Sequence, residues 1–274
     1  EIERKGVFIM VTNNLNNNIS LVAWNIHKMT QNVAAAGFVL DYIKKYEAII
    51  LTEYTADKRI EDGIKEEYFY DTRIRKGRNG VLVAVKKSIV KPGTEPDFTR
   101  FLMLDPDRPD APATLAANFR TTNGARLTII GCRYIQGLEN ALLISKWMNK
   151  KLRMQKNPWI IAGDFNILQM RMSEHYRDYK GSYSGGFDDC SAIFVDNFEN
   201  GIITSFQRLD HAIYKGITCN ESYCWDFLSE DTDVYPDKAD IVPGKVWKIP
   251  VGYPDHAMLC VEMEIRKEKE IYER

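Results

Sequence analysis

Apolar residues are grouped along this chain in short runs that end on polar side chains. Leu21-Val-Ala-Trp-Asn-Ile26 is a run of strand length that meets its first polar group at Asn25, and Ala48-Ile-Ile-Leu-Thr-Glu53 is a second that stops at Glu53. Trp159-Ile-Ile-Ala-Gly-Asp-Phe-Asn166 is a third, in which the β-branched Ile160 and Ile161 mark a buried strand and Gly163 its end. Arg208–Tyr214 predicts a strand carrying Asp210, and Pro254–Val261 one that opens with the pair Asp255–His256. Between these strands, helical periodicity predicts helices over about 33–46 and 138–153, the second with Leu142, Leu143, Trp147 and Leu152 on or near one face. Tyr68–Ile74 and Gly80–Val85 read as paired strands around the basic turn Arg75–Asn79. Ala113–Phe119 and Arg126–Tyr134 read as a hairpin around Thr122-Asn-Gly124, a strong turn signal. The segment 169–186 reads as irregular, a short helix is expected near 189–195, and 215–250 reads as a long irregular stretch. Strands that alternate with helices, plus hairpin signals, imply an α/β architecture with mixed sheets.

The polar residues at these strand ends carry the candidate chemistry. Asp164 and Asn166 are two residues apart, so an extended backbone puts both side chains on one side. A carboxylate can hold a hard metal ion or take a proton. An amide can donate to a phosphate oxygen without adding negative charge. Asp and Asn after Gly are also common turn formers. Asn25, Glu53, the Asp164–Asn166 pair, Asp210 and the Asp255–His256 pair recur at strand ends, however, and together they imply that the ends of a sheet converge on one polar site.

Taken in order, the motifs WNI, LTE, GDFN, RLD and PDH resemble those of the endonuclease/exonuclease/phosphatase superfamily, which has the DNase I-like fold. The resemblance covers roughly Ile19 to Ile265. It implies an α/β (α+β) fold: a four-layer αββα sandwich of two mostly antiparallel mixed sheets with outer helices. It implies a divalent-metal-dependent phosphodiesterase using Mg²⁺ or Mn²⁺, with Glu53 as principal metal ligand, Asp255 as a further metal-site carboxylate acting directly or through water, and Asn25 supporting the metal or its carboxylates. Asp210 is implied to hydrogen-bond His256, which acts as a general base or steadies the transition-state phosphate. Asp164 is implied to orient or deprotonate the attacking water or to protonate the leaving oxygen, and Asn166 to contact the phosphate. At the end of Leu127–Tyr134, either Arg133 or Tyr134 can donate to the scissile phosphate. Strand alternation admits only one of them, and comparison with apurinic nucleases favours Tyr134. His27 stands where several relatives carry an acidic residue, which weakens any second oxygen-rich metal site. His211 is expected to face away from the site, and His175 to be a loop histidine.

Composition limits the remaining choices. The chain has 274 residues, of which 45% are hydrophobic, and no Pro/Gly/Ser-rich linker, so one domain over 19–266 is expected between a flexible leader, 1–18, and a charged tail, 267–274. Five cysteines without a CxxC pair fit reduced thiols and a cytoplasmic protein, and no run is long enough for stable membrane insertion. A net charge of −1 supplies no global basic field. Two local clusters do, however: Arg73, Arg75, Lys76 and Arg78, and the group Arg171, Arg177 and Lys180 interleaved with Tyr176, Tyr179 and Tyr183. Basic groups with aromatics suit a nucleic-acid backbone and unstacked bases, so Arg75, Arg171 and Arg177 are candidate substrate contacts and DNA the leading substrate. The alternatives are a phosphatase or phospholipid phosphodiesterase of the sphingomyelinase or phosphoinositide class, and an inactive nucleic-acid-binding module. The acidic cluster Glu230–Asp233 would repel a nucleic-acid backbone. No protein partner can be inferred.

Overall fold

The computed structural model describes residues 18–26, 33–75, 78–102, 113–134, 138–167, 175–176, 191–196, 205–225, 254, 256 and 258–265. Its elements in chain order are β1 (Asn18–Asn25), α1 (Val33–Ile43), β2 (Ala48–Tyr54), α2 (Lys58–Ile64), β3 (Tyr68–Arg75), β4 (Arg78–Lys86), β5 (Asp97–Thr99), β6 (Ala113–Arg120), β7 (Arg126–Arg133), α3 (Leu138–Arg153), β8 (Trp159–Asp164), β9 (Ser191–Asp196), β10 (Ser205–Lys215), β11 (Thr218–Trp225) and β12 (Met258–Glu264). They form two six-stranded sheets, ordered β11-β12-β1-β2-β4-β3 and β5-β6-β7-β8-β10-β9.

The two sheets share one topology. In each, a parallel pair (β1–β2, β7–β8) is joined by a crossover helix, α1 or α3, and flanked by antiparallel strands. The crossover is needed because parallel neighbours cannot be joined by a tight turn. A hairpin-like pair then follows in sequence, β3–β4 or β9–β10, and its second strand joins the sheet beside β2 or β8. This structural repeat has no counterpart in the sequence as a repeated motif.

The main core lies between the sheets and under α1 and α2. Trp24 packs edge-on against Phe38 and Tyr42 of α1, which fixes α1 on the outer face of the first sheet. A second core lies between the other sheet and α3, built from Ile130, Cys132, Trp159, Ile161, Ile213 and the helix residues Ile144, Met148 and Leu152. Both faces of β7 and β8 are therefore covered, and both strands read as continuous apolar runs because alternation has no solvent face to report. The glycine in β7 sets the distance between the sheets: a Cβ on Gly131 would come within 2.7 Å of Val81 and 3.0 Å of Ile50 across the interface.

Four expectations need correction. Residues 191–196 form a strand and not a helix: Ser-Ala-Ile-Phe-Val-Asp pairs antiparallel with β10, so sheet pairing overrides the local pattern. The stretch beginning at 215 is not wholly irregular, since β11 pairs with β12. The buried face of α3 is Ile144, Ser145, Met148 and Leu152, while Leu142 is exposed. Asn18, assigned to the leader, is the first residue of β1 and pairs with Glu264. The sequence pattern also gave no sign of α2, which is capped by Asp57 accepting from the Arg59 amide and buries only Ile60 and Ile64. A stripe of two apolar residues is too short to register as periodicity. Among the described residues no helix is long and apolar enough to cross a membrane, and Cys132, Cys219 and Cys260 are free thiols.

Gly163, the last apolar-run residue before Asp164, has φ +135, and a Cβ there would stand 2.2 Å from the Cys132 carbonyl oxygen. A left-handed backbone costs an L-residue about 1–3 kcal/mol, and the backbone clash adds to that. Gly163→Ala is therefore expected to lose about 3 kcal/mol or more of stability in denaturant melts, with the C-terminal end of β8 displaced. A wild-type melting curve would contradict the tight β7–β8 approach.

Candidate active site

The parity of each strand decides which side chains enter the cleft between the sheets. On β7, Leu127, Ile129 and Gly131 face the other sheet, whereas Ile130 and Cys132 face α3. Continuing this alternation puts Arg133 in the cleft and Tyr134 in the α3 core, where it is fully buried, packs on Phe165 and hydrogen-bonds the Tyr176 hydroxyl. The preference for Tyr134 over Arg133 is thus corrected. Tyr134 contributes its backbone: its carbonyl accepts from Asn166 Nδ2 at 2.8 Å, and its amide donates to the Asp164 carbonyl at 2.8 Å. On β10, Ala212 and Tyr214 join the inter-sheet core and Ile213 the outer one. Asp210 therefore faces the cleft, and His211 faces away and contacts the Ile167 carbonyl at 2.8 Å.

Glu53 reaches the cleft by a different route. Thr52 points inward, as shown by its methyl 3.1 Å from the would-be Cβ of Gly163, so simple alternation would turn Glu53 outward. The register of β2 against β4 slips by one residue here, Thr52 pairing with Val81 and Tyr54 with Gly80. Glu53 is the extra residue, with φ +51. Such a bulge re-aims a side chain. Glu53 turns to the cleft and accepts from Arg133 Nη2 at 2.6 Å. A second register slip lies between Gln207 and Asp210 on β10.

Asp164 stands at the centre. It is the register partner of both Arg133 and Asp210, on the strands to either side. Its Oδ2 accepts from Asn25 Nδ2 at 3.2 Å and from Asn166 Nδ2 at 2.9 Å, and its Oδ1 accepts from the Asn166 amide at 2.9 Å. Asn166 holds this position with φ +48, which Asn tolerates better than most residues. Asp210 Oδ2 lies 2.5 Å from His256 Nδ1, and the His256 carbonyl accepts from Trp24 Nε1 at 2.7 Å. Trp24 was read only as part of a strand motif; its role in fixing His256 depends on a contact 232 residues away in sequence.

The structure thus brings together Asn25, Glu53, Arg133, Asp164, Asn166, Asp210 and His256. It does not bring in Tyr134 or His175. His175 is buried against α3, with Nδ1 2.9 Å from the Ser145 hydroxyl. Asp255, Arg171, Arg177 and His27 lie outside the described residues, as does the side chain of Arg75, whose backbone ends β3.

Burial pushes the Asp164 carboxyl up from 3.8 to about 7. Repulsion from Asp210 adds to this, while His256, Arg133 and the Asn166 amide pull the other way. The same two carboxylates, added to complete burial, hold the Cys132 thiol well above its ordinary range.

Among the described residues no three His, Cys, Asp or Glu side chains cluster closely enough to hold an ion. The donors that are present are hard oxygens: the Glu53 carboxylate, with a side chain only 13% exposed, and the neighbouring Asn25 amide, whose backbone is in register with Thr52. Mg²⁺ is held through one or two carboxylates while keeping several waters, so this donor set fits it and the similar Mn²⁺ in kind.

A group whose native pKa is raised binds its proton more tightly when folded. Its stabilisation is complete below the unfolded value and is lost as pH rises through the folded one. In the presence of a chelator, the thermal midpoint is therefore expected to fall between about pH 4 and 7 through Asp164. In Asp164→Asn that part of the slope should vanish. Identical slopes in the two proteins would refute the buried, proton-holding carboxyl.

Comparison with solved structures shows the fold. A protein of the endonuclease/exonuclease/phosphatase family from Bacteroides thetaiotaomicron superposes with a TM-score of 0.65 at 13% identity, covering 91% of this chain and 98% of that one. TDP2 from D. rerio, complexed with single-strand DNA product, gives 0.62 at 14% identity over 90% and 99% of the two chains. A mannosyl-6-phosphatase from Bacteroides thetaiotaomicron gives 0.60 at 14% identity over 89% and 99%. No curated protein matches the sequence. The model of the Endonuclease/Exonuclease/phosphatase family, whose members are hydrolases of phosphoester bonds that generally use divalent metal ions, matches residues 22–233, and this chain belongs to that family.

Proposed function

We propose that the chain is a divalent-metal-dependent phosphodiesterase that hydrolyses DNA. The observation that carries this reading is the hydrogen bond between His256 Nδ1 and the accepting Asp210 carboxylate, beside a buried Asp164 at one end of the sheet sandwich. Asp210 fixes the orientation of the imidazole through Nδ1 and stabilises its charged form, so proton exchange with substrate, or support of the transition-state phosphate, falls to Nε2. Asp164, with a pKa near 7, is matched to taking a proton from the attacking water or returning one to the leaving oxygen at neutral pH. Asn166, tied to Asp164 and to the Tyr134 carbonyl, orients the nucleophile and adds no charge that would repel an anion. A divalent cation held by Glu53 and Asn25, with Asp255 as a further candidate ligand, would neutralise the phosphate and stabilise the leaving oxygen.

Register supports DNA as the substrate. Gly80 pairs with Tyr54, next to Glu53, so the β3–β4 connection lies at the same end of the sheet as the catalytic groups. Arg75 and Arg78 are direct partners across that hairpin end. Arginines at these positions would offer positive charge to a nucleic-acid backbone running past that end of the sheet. The DNA product held by D. rerio TDP2 is consistent with this use of the fold.

Three measurements test the proposal. Glu53→Gln keeps the size of the side chain and removes its charge, and is expected to abolish turnover at low Mg²⁺. His256→Ala is expected to lose about 10²–10⁴-fold in rate with an unchanged circular dichroism spectrum. Full activity of either variant would remove that residue from the mechanism. Separately, single-stranded DNA binding to His256→Ala should weaken with salt, and Arg75→Glu should lower both the affinity and the salt slope, by roughly one unit per lost phosphate contact. Salt-insensitive binding would favour a small phosphorylated substrate for the same catalytic centre.

A further inference from the structure

The assigned roles leave one pairing unexplained. Arg133 is bonded to Glu53, the carboxylate that the proposed cation needs, at 2.6 Å. Both side chains are largely withdrawn from solvent, at 20% and 13% exposure. The contact is a short, charge-assisted one, and Glu53 adopts a left-handed backbone that turns it towards the cleft where the contact forms. A guanidinium and a divalent cation drawn to one carboxylate repel each other at close range, so the two compete for Glu53.

Arg133 is also incompletely partnered. Its Nε is buried and, among the described residues, has no hydrogen-bond acceptor. The Arg133 backbone lies in register with Asp164, so a short swing keeps the guanidinium inside the catalytic cluster. Arginine presents a planar fork of N–H donors that matches two phosphate oxygens at once. If Arg133 left Glu53 with nothing to receive it, the guanidinium would give up its charge-assisted contact inside a largely water-excluded site, which is strongly unfavourable. Two substitutes remove that cost together: a cation for Glu53 and a phosphate for Arg133.

We propose that Arg133 is an exchangeable latch, paired with Glu53 until a divalent cation takes that carboxylate, and then transferred to the substrate phosphate. The inference rests on the reading of Glu53 as a metal ligand. It adds that cation and phosphate bind cooperatively through one side chain. Arg133 both competes with the cation for Glu53 and, once displaced, adds a full positive charge where the phosphate sits. By linkage, each ligand then strengthens the other by the same factor.

The test is calorimetric titration of Mn²⁺ into the full chain, with and without saturating inorganic phosphate. In the wild type, phosphate should tighten Mn²⁺ binding by about 5–150-fold, the usual span of such couplings. In Arg133→Met the competitor is gone. Mn²⁺ alone should bind several-fold more tightly than to wild type, and the phosphate effect should collapse towards unity. Arg133→Gln, which keeps a hydrogen-bond donor without charge, should behave the same way and guards against a packing defect in the methionine variant. Equal Mn²⁺ affinity in wild type and both variants, with the phosphate effect intact, would overturn the latch while leaving Glu53 as a ligand. If Glu53→Gln also binds Mn²⁺ as wild type does, the metal assignment itself falls and the latch with it.

Discussion

Two sheets stacked face to face must bury every inward side chain along their length and can present polar groups only where the strands stop. That constraint organises this molecule. Gly131 lets the sheets approach until Val81, Val83 and Ile50 fill the space a side chain would need. No polar cluster could be tolerated at that depth. The chain therefore places its polar residues at the C-terminal ends of the two parallel pairs: Asn25 and Glu53 on one sheet, Arg133 and Asp164 on the other. The shared topology of the sheets makes these ends meet, so each parallel pair supplies one carboxylate and one further polar group to the cleft.

Grouping carboxylates at the edge of a core creates an electrostatic problem. Asp164 and Asp210 are register neighbours and both are buried. The structure meets this with an imidazole beside Asp210, a guanidinium beside Glu53 and, at Asp164, amide donors that add no charge. His256 faces Asp210, Arg133 faces Glu53, and Asn25 and Asn166 donate to Asp164. Burial, with repulsion from Asp210 added to it, leaves Asp164 with a raised proton affinity, the property that acid–base work at neutral pH requires. The same arrangement that makes the cleft stable enough to fold also prepares it for an anionic substrate.

Much of this was legible beforehand because burial on both faces leaves a plain trace. The runs at 21–26, 48–53 and 159–164 are apolar throughout and stop at a polar residue, and a strand covered by a helix on one side and a sheet on the other reads that way. The weaker elements were illegible for physical reasons. α2 buries two residues, and β9 is a strand only because β10 lies beside it. The side of the sheet on which Arg133 and Tyr134 fall was also undecided by pattern, since both faces of β7 are apolar and alternation gives a parity without an origin. Only the packing of Gly131 against the opposite sheet supplies that origin.

Sequence by itself determined the polar residues available and their chain order, because hydrophobic runs and the groups that interrupt them are local properties. It placed Asn25, Glu53, Asp164, Asn166 and Asp210 at or within strands, while the pairing of Asp210 with His256 came from the family resemblance alone. Tertiary structure decided which of the neighbouring candidates enter the cleft and in what pairing. Glu53 turns inward because one residue of β2 is left over when that strand pairs with β4, a mismatch visible only when both strands are laid together. Arg133 meets Glu53 across 80 residues and Trp24 holds His256 across 232, and no local pattern specifies contacts of that kind. Such contacts arise because the two sheets close over one core, and that closure brings the opposing strand ends to within hydrogen-bond distance.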